Sequence, residues 1–194
     1  KAAVVRLADA SLLAQIAAQD SDETVRAAAE ETLQNVALAS NPDAARAALQ
    51  VLSGEAALIT IARTATLEEI AVEALERILK PHALGLVVKK GSHEAVRKAA
   101  LERLDDTTEL GDLARKLEEK DLAMSALGRL EAILGPGTPS APAAEIFTLL
   151  AERARNKAVS RRARLLVQGG EAEPAGATQP PSDRARQIRL CEEM

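Results

Sequence analysis

The most constraining feature of this chain is that it repeats itself. Sliding the sequence by 26 residues brings Leu58, Leu84 and Leu110 into one column, Ile61, Val87 and Leu113 into a second, and Ala62, Val88 and Ala114 into a third. Ile70, Val96 and Leu122 continue the match at the same offset, followed by Ala74, Ala100 and Ala126 and by Ile78, Leu104 and Leu130. The same columns recur at Leu13, Ile16, Ala17, Val25, Ala29 and Leu33, and again at Phe147, Leu150, Ala151, Val159, Ala163 and Val167. A degenerate sixth copy fits between the first two if Leu33, Val36, Ala37, Ala45 and Leu49 take these places, sharing Leu33 with its predecessor. Within each unit the apolar spacing is that of two short amphipathic helices joined by a turn. Such a hairpin cannot bury its apolar face alone, so neighbours must stack, and the predicted fold is an all-α solenoid of five to six short hairpins.

Composition agrees. Hydrophobic residues make up 47% of the 194, but aromatic residues only 1%, a balance that favours helix. The shortage of flat rings also argues against single-strand base stacking and aromatic cages. Ala100 and its column mates are small where helices are expected to meet, which lets backbones approach to about 8 Å.

Turn chemistry falls between the expected helices. Ser21-Asp22, Asn41-Pro42-Asp43, Thr66 and Gly91-Ser92 offer helix caps or stops, and Pro81 opens a new hairpin. The hairpins are expected over 1–134, a Pro/Gly loop over 135–143 and a last hairpin over 144–167. Residues 168–182, without a large apolar side chain, read as a flexible linker. A final helical segment is expected over 183–194, capped by Asp183, with Ala185, Ile188, Cys191 and Met194 on one face, docked on the solenoid or on a missing part of the protein. The sequence starts without Met and stops inside that segment, so a longer parent chain is expected.

The stretches VRKAALERLDDTTELGDLARKLEEKD (96–121) and LAQIAAQDSDETVRAAAEETL (13–33) resemble HEAT-type repeats, with Asp22, Val25 and Arg26, and Val96 and Arg97, at the matching places. Ala71, Ala123 and Ser160 stand where those repeats carry the arginine. A narrower resemblance is to the repeat region of bacterial proteins carrying the domain of unknown function 349. Leu110-Gly111-Asp112-Leu113-Ala114-Arg115, Glu102-Arg103-Leu104 and the closing RQIRLCEEM carry it. What these resemblances imply is a fold, not an activity.

Three basic features are candidate sites for a partner or for phosphate. Arg63, Lys89 and Arg115 form one column at the end of the first helix of each unit, and Arg77, Arg103 and Arg129 a second near the end of the second helix. Either column could be an anion-binding ridge, or could simply complement helix dipoles and pair with Glu73, Glu76, Glu102 or Glu131. The third feature is Arg153, Arg155, Lys157, Arg161, Arg162 and Arg164, faced within residues 151–168 only by Glu152, in a chain of net charge -4.

Catalytic, metal and cofactor sites are not expected. Cys191 has no histidine spaced to activate it, Asp105-Asp106 sit where Asp caps a turn, and His82 and His93 read as ordinary surface residues at helix starts. With no signal-like or membrane-spanning stretch, a cytoplasmic, non-enzymatic interaction scaffold is expected. Its partner would be a protein or a missing part of its own chain, the alternative being ribosomal RNA or DNA phosphate bound through the basic rows.

Overall fold

A computed structural model describes residues 9–135 and 141–168, the side chains of 141–143 excepted. Among the described residues every regular element is a helix: α1 (Ala10–Gln19), α2 (Glu23–Leu38), α3 (Pro42–Val51), α4 (Glu55–Thr64), α5 (Glu68–Glu76), α6 (Pro81–Lys90), α7 (Glu94–Glu102), α8 (Thr107–Lys116), α9 (Lys120–Leu134), α10 (Ala141–Arg153) and α11 (Lys157–Val167).

Consecutive helices pack as antiparallel pairs, and helices two apart in sequence also touch. The even-numbered helices α2 to α10 therefore form one layer and the odd-numbered α1 to α11 the other, which is a helical-repeat solenoid. The core between them is the set of repeat columns. Leu58, Ile61, Ala62, Val87, Val88, Leu110, Leu113 and Ala114 are all buried, as is the alanine column Ala29, Ala74, Ala100, Ala126 and Ala163. Each buried Leu, Ile or Val side chain among these contributes about 1.5 to 3 kcal/mol, and each alanine methyl less.

The shared Leu33 has a simple cause. The 16-residue helix α2 spans the second half of the first unit and the first half of the next, so one helix serves both. The first unit departs from its expected place, however: α1, matched in sequence to first helices, touches α3 and so joins the layer of second helices.

Local caps explain most boundaries. Asp9, Asp22, Asn41, Asp106 and Asn156 each accept a backbone N–H of the following first turn, and Pro42 and Pro81 stand where a helix needs no donor. Two expected caps act otherwise. The residue before α5 is Leu67, and Thr66 instead donates its hydroxyl to the Leu38 carbonyl at 3.0 Å, while Ser92 donates its backbone N–H to the Arg63 carbonyl at 2.8 Å. Gly135 closes α9 at φ 85°, a left-handed backbone that glycine adopts without steric cost. Helix α10 starts at Ala141, inside the expected loop 135–143, with Pro142 tolerated in its first turn. The rest of that loop (136–140), the linker from 169 and the segment 183–194 lie outside the described residues. No described helix is long and apolar enough to cross a membrane.

Candidate partner-binding surface

The stacking of repeats decides what each basic column does. Arg77 and Arg103 occupy the C-cap positions of α5 and α7, whereas Arg129, in the same column, lies inside the longer α9, which runs on to Leu134. Each reaches back one repeat to the end of the preceding second helix. Arg77 donates to the carbonyls of Leu49 and Leu52. Arg103 donates to those of Leu75, Glu76 (3.3 Å) and Ile78 (3.0 Å). Arg129 donates to the Leu104 carbonyl at 3.2 Å and to the Asp105 carboxylate. The last carbonyls of a helix have no intrahelical donor, and a guanidinium fork supplies several at once along with a charge that suits the dipole. This column thus caps helices across repeats. The expected carboxylate partners are engaged differently: Glu73 takes Arg46 at 2.9 Å and Glu131 takes Arg162, while Glu76 offers Arg103 its backbone oxygen.

The column Arg63, Lys89 and Arg115 lies in the last turns of α4, α6 and α8. Arg115 pairs with Asp112 at 2.7 Å, and Lys116 meets the same carboxylate at 2.6 Å. The Arg115 hydrogen bond, with that of Lys116, holds the Asp112 carboxyl below its ordinary value of 3.8. Lys89 belongs to a cluster that sequence reasoning missed. Its Nζ is 3.7 Å from the Glu109 carboxylate, which also meets His82 Nδ1 at 2.8 Å and sits directly over Gly85. A Cβ at Gly85 would lie 2.7 Å from Glu109 Oε2, so the glycine makes room for the carboxylate between repeats. Arg63 has no ion pair among the described residues, and its Nε is buried.

Neither histidine joins a cluster of three or more potential metal ligands among the described residues. His82 is exposed apart from its Glu109 contact. His93 departs from the surface role expected of it: its side chain is only 22% exposed, and Nε2 lies 2.8 Å from the Ala65 carbonyl that ends α4.

Helix α11 behaves unlike the columns. Arg162 is taken up by Glu131 through two hydrogen bonds of 2.9 and 3.1 Å, and that contact raises its pKa. Arg155 reaches Glu118 at 2.7 Å, with both side chains largely in solvent. Arg153, Lys157, Arg161 and Arg164 are exposed and form no ion pair among the described residues. Lys157, Arg161 and Arg164 follow the spacing i, i+4, i+7, one face of α11, opposite the buried Val159 and Ala163.

Beside that face, Thr148, Ala151, Glu152, Arg164, Val167 and Gln168 line a groove of about 200 Å³ between α10 and α11. Its floor is the repeat column at its last position. Leu33, Ile78, Leu104 and Leu130 are at most 1% exposed, whereas Val167 is 40% exposed. Among the described residues no further copy of this column follows Val167.

No protein-family model matches the chain, and no curated protein matches it either.

Proposed function

We propose that the chain is an interaction scaffold of the cytoplasm, and that its α10–α11 end holds an acidic amphipathic segment of a protein partner or of its own parent chain. The observation that carries this reading is the juxtaposition of an open apolar groove with three cations on one helix face that have no ion pair among the described residues. An amphipathic helix laid in such a groove buries its apolar side while its carboxylates meet the cations.

A phosphate backbone fits the same cations less well. Nucleic acid gripped along the solenoid would need the basic columns as a continuous ridge, yet Arg77, Arg103 and Arg129 are bound to carbonyls of the chain. It would also cross residues 9–76, where twelve carboxylates face three cations.

The test is a binding titration of the intact chain with a fluorescent amphipathic peptide, Leu on one face and Glu on the other, beside a duplex DNA and an RNA hairpin over a salt series. Saturable peptide binding is expected, weakened about tenfold or more in K157E/R161E/R164E. Duplex or hairpin binding that exceeds peptide binding and falls steeply with salt would replace this reading with the phosphate one.

A further inference from the structure

We infer that residues 183–194 of the same chain are an occupant of the α10–α11 groove, so that the solenoid end is capped in cis until a partner displaces it; this rests on the groove being a docking surface, as proposed above. The interior repeats set the requirement. Ile78, Leu104 and Leu130 are closed within the stack, and Val167, in the same column, is left open together with Leu149 and Leu165. Repeat stacks need a capping element at each end, because the last apolar face otherwise meets water.

The described chain ends at Gln168, itself a lining residue of the groove. Whatever follows therefore starts at the site. The fourteen residues 169–182 contain no large apolar side chain, and after them come Ile188, Leu190, Cys191 and Met194. Fully extended, those fourteen residues reach about 46 Å, whereas α11 is only about 16 Å long, so the segment can return over the whole groove. A short tether gives an effective concentration in the millimolar range, at which even weak contacts suffice. Charge also fits: Glu192 and Glu193 follow the apolar positions directly and can meet Arg161 and Arg164, whose pairing is open among the described residues.

Cys191 is the only cysteine, which makes the test direct. A nitroxide attached there in the full-length chain is expected to broaden amide resonances of α10 and α11, including Thr148 and Val167, independently of dilution. Absence of broadening there, or broadening that arises only between separate molecules in a mixed sample, would overturn the inference, the second outcome naming another copy as the occupant. Amide exchange avoids modifying the apolar face. Ile188→Asp should accelerate exchange at the end of α11 by about tenfold, and unchanged exchange would equally sink the idea.

Peptide titration separates the two readings. With cis capping, Ile188→Asp binds the acidic peptide more tightly than the unaltered chain does. Peptide binding without nitroxide broadening would remove cis capping and leave the docking surface; broadening without peptide binding would remove the partner reading alone.

Discussion

The hairpin α8–α9 and the hairpin α10–α11 carry the same column pattern and meet opposite fates. In the first, Leu130 is fully buried and Arg129 is bound to the Leu104 carbonyl and Asp105. In the second, Val167 is 40% exposed and Arg161 and Arg164 have no ion pair among the described residues. The difference is position: the column of the interior hairpin is covered on both sides, and its Arg129 finds acceptors in the preceding repeat.

The largest effect that would break this comparison is in the column itself. Leu104→Ala should cost about 2 to 5 kcal/mol in denaturant unfolding, while Val167→Ala should change stability by less than about 0.5 kcal/mol. Equal costs would mean that the terminal position is as closed as the interior one.

Next comes the alanine column. Ala100 is fully buried, and Ala100→Leu should destabilise by about 1 to 3 kcal/mol through overpacking; an unchanged melting temperature would place Ala100 off the helix interface.

The arginines sharpen the contrast further. Removing Arg103 leaves the carbonyls of Leu75, Glu76 and Ile78 without their donor, so Arg103→Ala should cost about 1 to 2 kcal/mol in the same unfolding experiment. Arg161→Ala should leave stability within about 0.5 kcal/mol and act on binding instead.

The smallest effect is electrostatic. The Asp112 carboxyl titrates below its ordinary value in the folded chain, so its pairing with Arg115 and Lys116 stabilises at pH above about 4 and that contribution fades as pH falls toward the lowered native value. Asp112→Asn should flatten that part of an acid-melting series, and identical curves would show that the pair contributes nothing.

How much of this was legible in the sequence differs from residue to residue. The columns Leu58/Leu84/Leu110 and Ala74/Ala100/Ala126 revealed the hairpins, because side-chain periodicity along a helix is a local property. Asp22, Asn41 and Asp106 were readable as caps for the same reason. Thr66 and Ser92 were not, since their acceptors, the carbonyls of Leu38 and Arg63, lie nearly thirty residues away in the preceding repeat. Glu109 gave no sign of its contacts with His82 and Lys89, and Gly85 gave none of its reason for being glycine.

By itself the sequence determined that the chain is helical, that its helices pair, and much of the core, though Val167 is 40% exposed and Leu75, Leu101 and Leu127 join the core from outside the columns. Tertiary stacking decided that Arg77, Arg103 and Arg129 are bound across repeats. The reason is the range of the forces: apolar spacing acts within a turn or two of one helix, whereas the acceptor for Arg77, Arg103 or Arg129 exists only once the preceding repeat has docked at its own height.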